Sequence, residues 1–424
     1  MILIILIVIF ILLCLIRIPL PFALGLSSLF VIIYLGVSPQ QMVIQLYKGI
    51  DFFPLLAIPF FLLVGDLLNE AKVTHDLIRI AQALVGRIKG GLAHVNVLVS
   101  MVFGGISGSS TADTAAIGAV MIPSMEKAGY KSSFSAAITA ASSTMGNIIP
   151  PSVYMIVYGA LAGVSIEDLF LAGIIPGILI GVTQMIYSYI YAHKNNIPRS
   201  EKIEFSVAIK AFINGIPALI TVFLVIGGIT FGWFTATESA VIATVYTLFL
   251  VLGYYRTIKF KNLPKLFVST TKTYSAILFT IGTASVFSFL VGILDGPEIV
   301  LEWLKNVSTN PTVLLLIVAG VLLIIGTFMS EIATIIIFMP IFLEVQNLGN
   351  IDPIHMGVIV VMCLCLGLVT PPYGMCLLIS SQISNASFTA IVKETIPLVF
   401  VFLIVVILII IFPNIALIIP NLSS

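Results

Sequence analysis

The chain has 424 residues, of which 60% are hydrophobic and only 9% are charged. Because a soluble domain carries roughly 25% charged residues, 19 basic and 18 acidic side chains cannot cover a water-facing surface of this size. The net charge of +1 also excludes a nucleic-acid partner held by charge. Long apolar runs recur without strand-like alternation, which predicts a polytopic α-helical membrane protein rather than a β-barrel.

Eight apolar runs predict uninterrupted membrane spans, with Gly, Pro, Asn or charged residues at their boundaries. The first run lacks the basic start and the small-residue cleavage site of a signal peptide, so we expect a retained membrane helix. All four cysteines lie in apolar segments and are interpreted as small buried hydrophobes. The predicted spans are 2–16, 21–36, 53–69, 169–192, 211–230, 236–255, 273–294 and 395–412.

The segment 70–89 differs from the spans because it mixes apolar and basic residues. Val73 and Leu77 recur at helical spacing, while Lys72 and Arg79 interrupt the apolar pattern. A helix with one apolar and one basic face lies in the plane of the membrane interface. The segment therefore predicts an amphipathic interfacial arm.

The basic loops predict the orientation, because positive residues stay on the cytoplasmic side of a membrane. Two loops are rich in Lys and Arg, so we expect both in the cytoplasm. They are 194–210, which includes Lys202, and 256–272. The loop 295–310 and the turn 164–168 are acidic and fit the outside. This interpretation gives ten spans and two re-entrant hairpins, with both termini outside.

The two halves of the sequence repeat. Residues 146–151 are Gly-Asn-Ile-Ile-Pro-Pro, and residues 367–372 are Gly-Leu-Val-Thr-Pro-Pro, 221 positions further on. The same shift carries Ile175-Pro176 onto Ile396-Pro397. The segment 70–89 of the first half is basic, whereas its counterpart 295–310 in the second half is acidic. The two halves are therefore expected to have opposite orientations in the membrane. This pattern is an inverted-topology repeat, which is typical of secondary transporters.

Each half contains two apolar arms around a Gly- and Ser-rich tip. The charges at both ends of each pair place those ends on one side of the membrane, which predicts a re-entrant hairpin. The first hairpin would open to the cytoplasm and the second to the outside. Irregular backbone at that depth requires surrounding protein or a polar cavity. The predicted arms and tips are 91–106, 107–113 and 114–125 in the first half, and 312–325, 326–334 and 335–346 in the second.

Each hairpin precedes a span that a double proline interrupts. These broken spans are predicted at 133–163, interrupted at Gly146–Pro151, and at 354–385, interrupted at Gly367–Pro372. Proline leaves nearby carbonyls without partners and also begins the next half-helix well. The predicted fold is therefore an all-α inverted-repeat transporter in which two hairpin tips and two broken helices meet near the midplane.

Unpaired carbonyls and hydroxyls at such a meeting point suit a hard cation such as Na⁺. An uncompensated carboxylate there costs roughly 2.5 kcal/mol or more, and a bound cation would compensate the acids of the two tips. We therefore expect one Na⁺ in each half. The expected ligands are Ser107, Asp113, Gly146, Ile149 and Pro151 in the first half, and Gly326, Glu331, Gly367, Thr370 and Pro372 in the second, the apolar members acting through their carbonyls.

Half-helix N-termini after the tips and after the double prolines offer N–H groups to an anion. No phosphate-binding GxxxxGK[ST] motif is present in the sequence, so an ion gradient is the expected source of energy rather than ATP. The candidate substrate-binding residues are Ser109, Ser110, Thr111, Ser152, Ser330 and Tyr373.

Other interpretations of these motifs remain open. Gly105-Ile-Ser-Gly108 fits the short signature of rhomboid-type intramembrane serine proteases, although such a serine needs a base within reach. A double proline also produces a simple kink, and Gly and Ser also serve close helix packing.

The sequence resembles the large membrane subunit, or M component, of tripartite ATP-independent periplasmic (TRAP) transporters over nearly its whole length. Together the motifs are specific, whereas each alone is weak. They are Arg17-Ile-Pro-Leu-Pro-Phe-Ala-Leu-Gly25, Ala57-Ile-Pro-Phe-Phe61, Gly104-Gly-Ile-Ser-Gly-Ser-Ser-Thr-Ala-Asp-Thr-Ala115, Ile148-Ile-Pro-Pro-Ser152, Leu169-Phe-Leu-Ala-Gly-Ile-Ile-Pro-Gly177 and Thr370-Pro-Pro-Tyr-Gly374.

The resemblance implies Na⁺-driven uptake of an organic acid anion, such as a sialic acid or a C4-dicarboxylate, across the bacterial inner membrane. It implies a soluble periplasmic substrate-binding protein and a small four-helix membrane subunit as partners. Because the chain begins directly at its first span, we expect that small subunit to be separate. A stand-alone divalent-anion/Na⁺ symporter of similar fold is the main alternative.

The resemblance also implies an elevator mechanism, in which a transport domain moves along a static scaffold. Residues 90–163 and 312–385 would form the transport domain. The scaffold and arm segments would be 1–69, 70–89, 164–272, 273–311 and 386–424.

Overall fold

The computed structural model describes residues 1–71, 73–197, 199 and 205–423, so Lys72 and Lys202 lie outside the described residues. Over these residues the regular structure is helical, apart from one isolated bridge between Lys89 and Arg199. In the first half the helices are α1 Ile2–Leu15, α2 Leu20–Tyr34, α3 Gln40–Ile50, α4 Ala57–Glu70, α5 Val73–Val85, α6 Gly91–Ser107, α7 Ser110–Lys127, α8 Ser132–Ser143, α9 Val153–Ala162 and α10 Ile166–Lys194.

The second half continues with ten further helices. The helices are α11 Phe205–Thr230, α12 Ala236–Phe249, α13 Leu263–Ile293, α14 Gly296–Val307, α15 Pro311–Ile325, α16 Glu331–Gly349, α17 Pro353–Gly367, α18 Met375–Ile383, α19 Phe388–Ile411 and α20 Asn414–Ser423.

Within the described residues, seven helices are long and apolar enough to cross a membrane. Six of them fall in predicted spans, and the seventh is α16, the second arm of the second hairpin. The helices α1 and α2 are shorter, at 14 and 15 residues. The chain is therefore a multi-pass helical membrane protein, as predicted.

The repeat holds helix by helix. The helices α6 to α10 begin at residues 91, 110, 132, 153 and 166, which a shift of 221 carries to 312, 331, 353, 374 and 387. The helices α15 to α19 begin at 311, 331, 353, 375 and 388. The two halves therefore fold into the same order of helices with almost no insertions between them.

Two hydrogen bonds show that the halves run in opposite directions. The Tyr158 hydroxyl, near the end of α9, donates to the carbonyl of Pro353, at the start of α17, over 3.3 Å. The Asn385 N–H, just after α18, donates to the Ser132 hydroxyl at the start of α8 over 3.2 Å. Because one broken helix ends where the other begins, the repeat is inverted.

The helices pack in two groups that the arms α5 and α14 connect. One group contains α6 to α10 and α15 to α20, and the other contains α1 to α4 and α11 to α13. The helices α10 and α19 also pack on hairpins and broken helices, and the domain boundaries at 164 and 386 stay a prediction. Which group moves stays a prediction.

The structure also corrects several boundaries. The second tip is shorter than 326–334 because α16 begins at Glu331, where a carboxylate in the first turn is favourable at the positive end of the helix dipole. The helix α5 covers only 73–85, and its apolar face packs on α6 and α11 rather than on lipid alone. The helices α3 and α20 were not predicted separately.

Candidate ion and substrate site

The tip of hairpin 1, the α6–α7 pair, is a tight turn at Gly108. This residue has φ +61, and a Cβ there would lie 2.8 Å from the carbonyl oxygen of Pro151. Ser109 follows in extended conformation and caps α7 by accepting from the N–H of Ala112. Only glycine fits both the left-handed turn and the close approach of the broken helix.

Asp113 lies in the first turn of α7 and is completely buried. Its Oδ1 accepts a hydrogen bond from the Ser107 hydroxyl, which also accepts from the N–H of Ser109. Its Oδ2 has no hydrogen-bond partner among the described residues. This oxygen faces Gly146, where an added Cβ would clash with it. A buried carboxylate oxygen without a partner is costly unless its charge is neutralised.

The hairpin tip touches the first helix break through backbone. A Cβ at Gly104, in the last turn of α6, would lie only 2.9 Å from the Cα of Gly146. The pairing of two glycines brings the main chains of α6 and the break into direct contact. The predicted association of Ser107, Asp113, Gly146 and Pro151 is therefore present in the structure.

The first break has its own hydrogen bonds. Thr144–Asn147 form a 3-10 turn after α8. The Asn147 amide donates to the Ser110 hydroxyl over 2.9 Å, and this hydroxyl donates to the Thr144 carbonyl over 3.2 Å. The Ser152 hydroxyl donates to the carbonyl of Asn147 and accepts from the N–H of Met155, which caps α9. These bonds fix the break to the tip in one arrangement.

The Asp113 carboxylate and the Ser107 hydroxyl place oxygen atoms at the meeting point of the first half. Oxygen is the ligand type that Na⁺ takes in transporters. The side chain of Ile149 packs against Gly177 of α10, so any role of Ile149 would fall to its carbonyl. Across the described ranges, no three His, Cys, Asp or Glu side chains gather into a metal-ligand cluster.

The second half repeats the backbone contact. A Cβ at Gly367 would clash with the carbonyl oxygen of Gly326, so the tip of hairpin 2, the α15–α16 pair, touches the second break. Pro371–Pro372 is a cis peptide bond, as is Pro150–Pro151. The Thr370 hydroxyl donates to the Leu366 carbonyl over 2.7 Å.

The acids of the two tips are not equivalent. The shift of 221 carries Asp113 onto Thr334 and Ser110 onto Glu331. Glu331 faces the Tyr154 side chain in the first turn of α9. The second expected Na⁺ site therefore has Gly326 and Gly367 in contact, but its acid is directed toward the other half.

The helix α18 lies beside the first hairpin. Cys376, in the first turn of α18, lies against Thr114 of α7. The helix α7 packs on α18 and α16 packs on α9, so each hairpin contacts the broken helix of the opposite half. Both tips and both breaks therefore converge in one region, as the sequence predicted.

The candidate substrate residues divide into two sets. The half-buried Ser109 and Thr111 hydroxyls lie 3.2 Å apart at the first tip, and half-buried Ser330 directly precedes α16 at the second. Tyr373 is 47% exposed at the second break. In contrast, Ser110 and Ser152 are fully buried and occupied by hydrogen bonds within the first break.

Sequence reasoning missed Asn147, Tyr154 and Cys376. A polar amide inside the first break was a signal for Asn147. Tyr154 and Cys376 follow the double prolines by three or four residues, but their roles depend on contacts between opposite halves. A single sequence does not show those contacts.

The serine of the protease-like motif Gly105–Gly108 is Ser107. Its hydroxyl is hydrogen-bonded to the Asp113 carboxylate and not to a histidine. The His355 Nε2 is 2.9 Å from the carbonyl oxygen of Ile409, at the opposite end of α17 from the break.

Comparison with known proteins gives a family match over residues 7–415, to the tripartite ATP-independent periplasmic transporter, DctM component. The protein YgiK of Salmonella typhimurium is 40% identical over 415 residues, covering 96% of this chain and 94% of YgiK. The sialic acid TRAP transporter large permease SiaM of Vibrio cholerae is 36% identical over 378 residues, covering 89% and 88%. The C4-dicarboxylate TRAP transporter large permease DctM of Pseudomonas aeruginosa is 35% identical over 400 residues, covering 94% of each.

The fold is similar to that of solved membrane transporters. The Alcanivorax borkumensis YdaH transporter superposes with a TM-score of 0.61 at 15% identity, over 96% of this chain and 98% of that one. The Neisseria gonorrhoeae protein MtrF gives 0.60 at 14% identity, over 87% and 83%. At such identities the likeness concerns the fold alone. From the family match and the relatives, the chain belongs to the large permease (DctM) family of TRAP transporters.

Proposed function

We propose that this chain couples the inward flow of Na⁺ to the uptake of a small organic acid anion. The observation that carries the proposal is Asp113 Oδ2, a fully buried carboxylate oxygen without a described partner where hairpin 1 meets the first break. A cation at this point offsets the cost of burying the charge. The large permeases for sialic acid and C4-dicarboxylate among the relatives support an organic acid as substrate.

The first Na⁺ would bind between Asp113 and the break. Ser107 orients the carboxylate, and Gly146 allows Asp113 Oδ2 to approach the break because it has no side chain. A second Na⁺ near Gly326 and Gly367 would depend on carbonyls and on Thr370, since Glu331 faces Tyr154.

The anion would bind beside the ions at the two tips. Ser109, Thr111 and Ser330 stand at the N-termini of α7 and α16, where hydroxyls and free N–H groups favour a carboxylate. Tyr373 would contact the substrate from the exposed side of the second break. Bound Na⁺ lowers the negative charge at the tips, so ion binding would favour anion binding.

We further propose an elevator mechanism in the inner membrane, with partners that deliver the substrate. The hairpin group would slide along α1 to α4 and α11 to α13, with α5 and α14 as hinged arms. A soluble periplasmic protein would bring the anion, and a small four-helix membrane subunit would pack on the scaffold. Related permeases for sialic acid and isethionate are longer, and this chain covers 61% and 60% of them.

Reconstitution in liposomes tests the proposal. The chain would be tested alone, then with a small four-helix subunit and a periplasmic binding protein of the family, using labelled N-acetylneuraminate and succinate as probes. Uptake that needs the binding protein and an inward Na⁺ gradient is the expected result. Uptake by the chain alone would support the stand-alone symporter. Uptake that is unchanged when K⁺ replaces Na⁺ would contradict coupling to Na⁺.

A further inference from the structure

An apolar groove of about 560 Å³ runs along the seam between α11 and the helices α6 and α10. Met101, Gly105, Ile178, Val222 and Phe223 are among its lining residues. Ile178 and Phe223 are 43% and 56% exposed, so the groove opens to the outside of the helix bundle. Since α11 contains a candidate membrane span from Phe212 to Thr230, this opening faces lipid.

The length of the groove matches one leaflet of a bilayer. On α11 it extends from Leu219 to Phe231, which is about 18 Å at ~1.5 Å per residue. Half of a hydrocarbon core of roughly 30 Å is about 15 Å. An acyl chain lying along the groove would therefore reach from the membrane surface to the bilayer centre.

A second cavity adjoins the groove at its end. It measures about 460 Å³ and shares Thr230 and Phe231 with the groove. Its charged lining residues are all acidic: Glu167, Asp168 and Glu238. Trp233 stands at its rim with 63% exposure and contacts the ring of Phe231, whose centroid is 5.2 Å away. Exposed tryptophan at the end of a span is typical of the headgroup level of a membrane.

The three carboxylates are positioned differently. Glu167 accepts from the N–H of Ala236 over 3.2 Å, and Glu238 accepts from the N–H of Thr235 over 2.9 Å. No described residue donates a hydrogen bond to the Asp168 carboxylate, whose own backbone N–H is bonded to Ser165. The cavity therefore offers negative charge and unoccupied acceptor oxygens to a ligand that has N–H donors.

We propose that this joined groove and cavity bind a phospholipid with a primary ammonium headgroup, of the phosphatidylethanolamine class, in the outer leaflet. The ammonium donates to Asp168 and Glu167, and one acyl chain fills the groove beside Val222. An anionic lipid such as phosphatidylglycerol has no positive group for these carboxylates and is repelled by them. The lipid would then occupy the seam between the two helix groups, a role separate from the ion and substrate site.

Lipid binding to the purified chain tests this proposal by native mass spectrometry and by a photoactivatable phosphatidylethanolamine. We expect phosphatidylethanolamine to be retained at least about tenfold more strongly than phosphatidylglycerol after delipidation. Crosslinks should map to 219–231 and to the start of α10. Equal retention of the two lipids, or crosslinks that map elsewhere, would overturn the proposal.

Two kinds of variant test the cavity and the groove separately. The double change Glu167→Gln with Asp168→Asn should remove the preference for phosphatidylethanolamine, whereas Glu298→Gln with Glu302→Gln on α14 should leave it intact. Val222→Trp should block the groove, whereas Val245→Trp, at a position on α12 that is 62% exposed, should not. Unchanged lipid preference in the double acidic variant would refute the headgroup assignment. Crosslinking of a small-subunit helix to 219–231 in the complex would show that the groove is a protein interface instead.

Discussion

The Oδ2 atom of Asp113 occupies the space where a side chain of Gly146 would stand. Asp113 lies in the first turn of α7, the second arm of hairpin 1, and Gly146 lies in the break of the next span. A side chain at position 146 would therefore clash with Asp113, which lies 33 residues earlier in the sequence. The contact also places the Asp113 carboxylate and the Ser107 hydroxyl together at the point where the hairpin meets the break.

Gly146→Ala should abolish Na⁺-dependent uptake. The added methyl group would overlap the Asp113 carboxylate and displace the proposed ion ligand, and overpacking of this kind costs about 1–3 kcal/mol of stability. Uptake into proteoliposomes and thermal unfolding in detergent measure the two effects. Gly320→Ala is a matched control, because no neighbouring atom would lie within 4 Å of its Cβ. Similar uptake by both variants would mean that the contact has no functional role.

Tyr154→Phe should lower stability by about 1–3 kcal/mol, because it removes the phenol hydroxyl that faces the half-buried Glu331 carboxyl group. Tyr158→Phe, on the same helix, is the control. It removes only a 3.3 Å hydrogen bond to the Pro353 carbonyl and should cost about 1 kcal/mol or less. Unfolding in detergent compares them, and equal losses would show that Glu331 does not depend on Tyr154.

Asn96 and Ser142 should be energetically coupled. The Ser142 hydroxyl donates to Asn96 Oδ1 over 3.3 Å, and the Asn96 amide donates to the Thr139 hydroxyl over 2.6 Å, all in the buried interface of α6 and α8. Polar pairs between membrane helices average about 0.6 kcal/mol, with a maximum near ~1.7. A double-mutant cycle of Asn96→Ala and Ser142→Ala should give a coupling in that range.

The control for this cycle pairs Asn96→Ala with Ser380→Ala. Ser380 is buried in α18 and donates to its own helix at the Leu377 carbonyl, so additive effects are expected there. A coupling near zero for Asn96 and Ser142 would show that the hydrogen bonds between α6 and α8 do not stabilise the hairpin.

Much of the fold follows from the sequence because two strong local signals coincide. The double prolines at 150–151 and 371–372 mark the breaks, and the charge pattern fixes the opposite directions of the halves. Both signals are local, so a single sequence contains them. The arm α5 and the start of α16 were placed less well, since α5 packs on α11 and α16 begins at Glu331 without a side-chain cap.

The candidate site was predictable only where its residues lie close together in one half. Ser107 and Asp113 belong to one tip, and Gly146 and Pro151 belong to the break that follows. The contact of Glu331 with Tyr154 connects opposite halves. It depends on how α16 packs on α9, which neither composition nor local pattern determines.

The most direct test of the ion site is the Na⁺ dependence of thermal stability in the purified chain, with K⁺ at equal ionic strength as reference. A ligand at 100 times its dissociation constant stabilises the folded state by about 2.7 kcal/mol. The wild type should therefore show a Na⁺-specific rise in melting temperature, and Asp113→Ala should lose most of it. An equal rise in both proteins would contradict the assignment of Asp113 as the residue that holds the coupling ion.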